Sequence, residues 1–478
     1  MPILVQCTEC GRSFRVREEL AGRTAKCGGC HSRLVIPKVS VAAPQQFEAP
    51  FDLASFTKEL RAALAKSTPD RKISNGYRLA VMLATLTLLA LPIGYLAIVG
   101  AAAFLLIRLG TSQLGAFSVL DIALFAAGCV VVLFLLRPIP WLFYRASPDV
   151  FPIFPIRRYP LIEAIAREIS LAQGSPMPTH LKFDCELNAS ASFGHRLSDV
   201  IRQKQMVLTI GLPLLRNLST TQIAGIIAHE MTHFDQRQSF RLTVLGRWLS
   251  NWVRFVAEQR NDVTLQSVLR AQWRIERFVR AVIAMGLGLA QALLVTLHSI
   301  AELMVAAVSR QMERYAYRRQ AMLVGSVAFA ETMLWLNKGA MAQRSVDRSL
   351  SQSLERRTLP DNLPELFRIC VADLSADHIT ALKERLTTER AGLLDSHPSY
   401  RDTMYDLRKT NPPALLTDRA EAYRLIVDFE GLCRAVTRAR YYELLGGDLS
   451  LVTIAPIQEI FPYWEAANSS APAQFPGN

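Results

Sequence analysis

The sequence predicts an α-rich α+β fold with a transmembrane helical hairpin and a small cysteine-rich module ahead of it. Three observations carry that expectation. Two CxxC pairs open the chain at Cys7, Cys10, Cys27 and Cys30, and two long uncharged runs follow between residues 79 and 136. From Tyr159 onward helical periodicity is interrupted only by short strand-like stretches. With 478 residues, more than one structural unit is expected. The expected boundaries are 1–38 for a zinc ribbon, 39–77 for a linker with a short amphipathic helix, 78–145 for the hairpin, 146–464 for the main domain and 465–478 for a disordered tail.

The inner cysteines of the two pairs are separated by 16 residues (27 − 10 − 1). Two such knuckles can supply four thiolates to one structural zinc ion in a closed tetrahedral site. A redox motif would need a single CxxC in a βαβ setting. Cys129, Cys185, Cys370 and Cys433 are isolated, which suits reduced thiols better than a disulfide framework. No charged leader followed by an apolar stretch begins the chain, so this module is expected in the cytosol.

Leu53, Phe56, Leu60 and Leu64 give the next segment an amphipathic helical pattern. The uncharged run from Leu79 to Ile107 is 29 residues long (107 − 79 + 1), where about 20 are needed to span a bilayer. A second run from Gly115 to Leu136 holds one acid, Asp121, and is closed by Arg137, Pro138 and Pro140. Basic residues cluster before and after this hairpin, with only Arg108 between its arms, so both ends are expected to face the cytosol.

In the main domain, Tyr159–Gln173 reads as an amphipathic helix stopped by Gly174, Pro176 and Pro178. Strands are expected at His180–Phe183 and Met206–Ile210, with NASASFG at 188–194 as an edge strand or turn. Ser219 followed by Gln222 has the spacing of a capping box, starting a helix that runs through HEMTH. Four residues at about 100° each bring His233 to within about 40° of His229, so both imidazoles can reach one metal ion. Glu230 lies beside them, where a carboxylate can take a proton from metal-activated water and pass it to a leaving amine. A solvated polar helix face is the bland reading, and the apolar neighbours Ile223, Ile226, Ile227 and Met231 argue against it.

From about Tyr159 to Leu407 the chain resembles the HtpX-like membrane zinc metallopeptidases, a group that includes the CAAX prenyl endopeptidases. The resemblance rests on the HEMTH helix, the NASASFG segment and SRQMERYAYRRQA at 309–321. It implies a zincin-like, gluzincin metallopeptidase domain, with Glu313 as third ligand to a catalytic zinc and with Asn188, Ala189 and Ser190 in a substrate-binding edge strand. Polypeptide substrates, among them membrane proteins, are implied too. Tyr317 stands where the family has Asp, Ser190 where it has Phe, and Thr403 where it has Arg. Tyr317, four residues after Glu313, is expected on the same helix face and near the metal. HPSYRDTMYDL from His397 resembles the family's His-Pro segment, which makes His397 a site candidate by resemblance, while an ordinary helix-start role is the reading preferred here.

The run at 281–307 is long enough to span a bilayer. His233 and Glu313 must reach the same ion, which favours a long helix buried against the domain or dipping into lipid, with a second hairpin as the alternative. Residues 242–256 read as an interfacial helix, and nine arginines between Arg237 and Arg280 border the expected membrane surface. Anionic lipid then accounts for the net charge of +13 without nucleic acid. The function expected is that of a multi-pass membrane endopeptidase with one catalytic and one structural zinc, its ribbon and protease domain cytosolic. A zinc-binding pseudoprotease that acts as a membrane-tethered scaffold through its ribbon is the alternative.

Overall fold

The computed structural model describes residues 3–6, 13–16, 24–26, 33–35, 51–67, 75–112, 118–136, 151–193, 205–234, 274–392, 395 and 397–460. The chain divides into two compact units, residues 1–50 and 51–478. In the first, β1 (Ile3–Gln6) pairs antiparallel with β2 (Ser13–Val16), and β3 (Thr24–Lys26) pairs antiparallel with β4 (Arg33–Val35). In the chain, each CxxC falls between the strands of one hairpin. Cys7, Cys10, Cys27 and Cys30 themselves lie outside the described residues, as do the segments 242–256 and 465–478.

The second unit begins with α1 (Leu53–Lys66), started by Asp52, whose side chain accepts from Ser55 N at 3.0 Å. The sequence places this helix in a linker. Its apolar face, Phe56, Leu60, Ala63 and Leu64, is buried in the main core instead. Arg61 clamps Glu168 with two hydrogen bonds of 2.8 and 2.6 Å, and Glu59 accepts from Thr417 N at 2.9 Å. The helix therefore belongs to the body of this unit.

Helices α2 (Asn75–Ser112) and α3 (Val119–Leu136) follow. They meet closely where Gly110 faces Phe125 and Gly128 faces Leu106, and the Tyr95 hydroxyl donates to the Leu135 carbonyl. Leu86, Ile93, Phe104, Leu105 and Leu133 are exposed by 56–67%. Some side chains of these helices lie outside the described residues. Among the described residues no helix is long and apolar enough to cross a membrane.

After β5 (Ile153–Pro155), α4 (Pro160–Gln173) starts with proline in its first turn and ends at Gly174, whose φ of 70° is the left-handed cap that glycine permits. Strands β6 (His180–Asp184), β7 (Ala189–Ser192) and β8 (Val207–Gly211) complete a four-stranded sheet of order β5-β6-β8-β7. The central pair β6 and β8 is parallel, and both outer strands are antiparallel to their neighbours. This puts β7 at an edge, with Ser190 opposite Thr209 and Ala191 opposite Leu208. Leu181, Phe183, Leu208 and Ile210 point into the core, as the alternation of the strands requires.

The chain then runs through α5 (Leu212–Asn217) into α6 (Thr220–Thr232). The longest element is α7 (Arg274–Glu355), 82 residues with one break, at Gly325. The apolar run at 281–307 is the first part of this helix, so it continues without interruption into the turn that carries Glu313. Gly286 in that first part packs against Val131 of α3. Beyond α7, β9 (Thr358–Pro360) pairs in parallel with β10 (Thr453–Ala455), and α8 (Leu363–Ala372), α9 (Ala376–Thr388), α10 (Tyr400–Thr410) and α11 (Phe429–Leu444) close the fold.

Candidate metal centre

Helix α6 is fixed at both ends. Ser219 Oγ accepts from Gln222 N at 3.3 Å while Gln222 Oε1 accepts from Ser219 N at 2.9 Å, the reciprocal cap that the sequence predicts. Thr220 and Thr221 tie the same end to the carbonyls of Ala420 and Asp418. At the other end, Gln173 Nε2 donates to the Ala228 carbonyl at 3.0 Å. Between them sits Gly225, where a Cβ would lie 2.6 Å from Val324 Cγ1. Only a glycine lets α7 come this close, one turn before His229.

That approach brings Glu313 to the two histidines. His229 Nε2 lies 3.2 Å from Glu313 Oε2, His233 Nε2 lies 3.4 Å from Glu313 Oε1, and the two Nε2 atoms are 3.3 Å apart. The side chains are only 9–12% exposed. Among the described residues these three form a group able to hold a metal ion, with one donor atom each. An ion bound tetrahedrally at about 2.05 Å holds its donors about 3.3 Å apart. The observed separations match that spacing, and two imidazoles with one carboxylate form a donor set with room for a further ligand.

Burial pushes the Glu313 carboxyl up, but the imidazoles of His229 and His397, each 3.2 Å from Oε2, and the charges of both ligand histidines outweigh it and hold the group well below the usual carboxylate range. Burial likewise pushes His229 down, and the bonded Glu313 carboxylate more than reverses this. The carboxylate is therefore ionised and ready to ligate. Glu230, half-buried on the next position of α6, adds its negative charge at His229, Tyr317 and His397.

Tyr317 lies over His229, with ring centroids 4.8 Å apart and planes tilted by 38°. Its other side meets Phe329 at 5.8 Å. His229 Nδ1 is buried with no hydrogen-bond partner among the described residues. Asn188, Ala189 and Ser190 lead into and form the edge strand β7, which packs beside α6; Asn188 O accepts from Gly211 N at 2.8 Å. Thr403 is buried and spends its hydroxyl on the Ser399 carbonyl at 2.9 Å.

One residue that sequence reasoning assigns to a helix start is at the centre instead. Ser399 caps α10 by accepting from Asp402 N at 3.1 Å, which frees His397 from that task. His397 Nδ1 lies 3.2 Å from Glu313 Oε2, while its side chain stays 63% exposed. A cleft of about 360 Å³ opens beside it, lined by Tyr317, Met333, Asn337, Leu386, His397 and Tyr400. The sequence signal for this is the resemblance of HPSYRDTMYDL to the family's His-Pro segment.

The model of peptidase family M48 matches residues 166–411 of the chain, 246 of its 478 residues (411 − 166 + 1). The chain belongs to peptidase family M48. The match begins in α4 and ends just after α10, so it takes in β6, β7 and β8, α6, the ligand turn of α7 and His397. M48 peptidases depend on a metal ion, which agrees with the donor set formed by His229, His233 and Glu313. An α-rich zincin-like fold fits this family. No curated protein and no solved structure matches the chain.

Proposed function

We propose that this M48 metallopeptidase is a membrane-anchored zinc endopeptidase of the HtpX-like type. The observation that carries the catalytic part is the spacing of His229, His233 and Glu313, with Glu230 adjoining them on α6. Zinc held by those three side chains would polarise the scissile carbonyl and make water acidic enough to lose a proton near neutral pH. Glu230 accepts that proton and returns it to the departing amine. His397, exposed and beside the ligand carboxylate, offers its ring N–H to the carbonyl oxygen as negative charge grows there. The free edge of β7 can pair with an extended substrate backbone, which aligns the peptide without demanding a particular side chain.

The exposed Leu86, Ile93, Phe104, Leu105 and Leu133 on α2 and α3 support anchoring in lipid, with the protease domain on the cytosolic side where the arginines cluster. This placement would give the enzyme membrane proteins as substrates, in a quality-control role. In the same proposal Cys7, Cys10, Cys27 and Cys30 hold a structural zinc.

One observation favours a second reading, a metal-binding pseudoprotease that serves as a scaffold. Tyr317 supplies no acceptor to the His229 ring, which weakens the centre. A casein or self-cleavage assay of purified protein, with and without chelator, separates the two. Cleavage that is lost with chelator and lost in Glu230→Gln is the expected result. Metal-loaded protein without any cleavage would leave the scaffold.

A further inference from the structure

The connection between α9 and α10 carries His397, yet little burial holds it in place. Glu389, Arg390, Gly392, Asp395 and His397 are all exposed. A segment with so little apolar contact is expected to open readily unless polar contacts hold it. Among the described residues, two such contacts reach across from α7 through a single side chain. Arg310, three residues before Glu313 on α7, donates through Nη1 to the carbonyls of Gly392 at 3.2 Å and Asp395 at 2.8 Å. Asp395 folds back on the same turn, its Oδ2 accepting from Gly392 N at 2.7 Å. Two residues later His397 meets Glu313.

Arg310 and Glu313 are thus neighbours on one helix face and grip the same connection at two points. We propose that Arg310 is a positioning residue that sets His397 against the metal centre by holding the carbonyls of Gly392 and Asp395, an inference that rests on the peptidase reading above. A guanidinium donating to two carbonyls makes charge-assisted bonds, stronger than neutral ones. Its loss would leave the ligands His229, His233 and Glu313 in place, because they are held by α6 and α7 alone. What would change is the place of His397, and with it the alignment of the substrate carbonyl.

The test uses the full-length, zinc-loaded chain with Arg310→Met, Arg310→Lys, His397→Ala and the double variant Arg310→Met/His397→Ala. Arg310→Met should keep its zinc and lower kcat roughly 10- to 100-fold with little change in KM, the scale on which misplacement of about 1 Å acts. Arg310→Lys, which keeps a charged donor, should recover part of the loss. The double variant should be no slower than His397→Ala, since both changes remove one function. Hydrogen exchange of the 389–398 peptide should rise in Arg310→Met and stay unchanged in His397→Ala. Fully additive losses, or unchanged exchange in Arg310→Met, would overturn the proposal. If Arg310→Met does not fold, exchange and kcat of Arg310→Lys against wild type decide the matter in the same way. An inactive wild type would remove the peptidase reading, whereas the exchange comparison would still show whether Arg310 holds the connection.

Discussion

The ring of Tyr317 covers His229 at a centroid distance of 4.8 Å, and the ring nitrogen of His229 that faces away from the metal centre has no partner among the described residues. An N–H left buried without an acceptor costs about 1–3 kcal/mol and leaves the tautomer of the ligand unfixed. Burial, together with the charges of Glu313 and Glu230, pushes the Tyr317 phenol up, so it stays neutral. Tyr317→Asp should therefore raise metal affinity about 10- to 100-fold in a chelator competition. Tyr317→Phe should leave affinity unchanged, because the hydroxyl makes no bond to Nδ1. A folded Tyr317→Asp protein with no gain would mean that the orphaned nitrogen does not limit binding.

Metal content tests the N-terminal module. Full-length protein should bind two zinc ions per chain and a variant lacking residues 1–38 should bind one. Combining that deletion with His233→Ala should remove most of the remainder, since a site with two of its three protein ligands loses most of its affinity. One ion per chain in both the full-length and the deleted protein would rule out the ribbon.

Asp184, at the end of β6, gives a pH-dependent prediction. Burial pushes its carboxyl up to about 6, against an ordinary 3.8, despite the hydrogen bond from the Glu186 backbone N–H. The folded state holds this proton more tightly than the unfolded one. The group therefore costs nothing below the ordinary value, and stability falls as pH rises from there through about 6. Asp184→Asn removes the ionisation, so it should stabilise the protein by of order 2 kcal/mol at pH 8 and change little at pH 4. Denaturant unfolding at the two pH values measures the difference. Equal effects at both would show that the carboxyl titrates normally.

Gly325 is the one break in α7, with φ of 84° and ψ of 163°. A Cβ there would lie 2.7 Å from Ala414 Cα, and the backbone angle itself disfavours any L side chain. Gly325→Ala should cost about 2–4 kcal/mol, through strain and displacement of the 412–414 backbone. Urea unfolding gives the number, and a loss below about 0.5 kcal/mol would mean that the kink relaxes freely.

Local chemistry made part of this site legible in the sequence. The cap of Ser219 and Gln222 and the pairing of His229 with His233 depend on residues three or four apart, and a helix fixes such neighbours by itself. The stop at Gly174 and the alternation in β6 and β8 follow from local rules too. Glu313 was reached only through resemblance, because nothing near it in the chain marks it as a ligand. The sequence marks His397 only as a weaker candidate, through the family's His-Pro segment, since an exposed connection gives no periodic pattern and its contacts with α7 come from Glu313 and Arg310, 84 and 87 residues away (397 − 313 and 397 − 310). The apolar face of α1 was visible, but its partner α4 was not. The run at 281–307 looked like an element with its own end because hydropathy drops after it, whereas a helix stops only where the backbone must, here at Gly325.

His229 and Glu313 are separated by 84 positions, and Glu313 and His397 by another 84 (313 − 229 and 397 − 313). During synthesis the first histidine pair emerges long before the carboxylate that completes the metal centre, and the last histidine emerges later still. A nascent or truncated chain therefore has no cutting power to turn on its neighbours. The metal centre arrives only with the finished fold and is lost as soon as α6 and α7 separate.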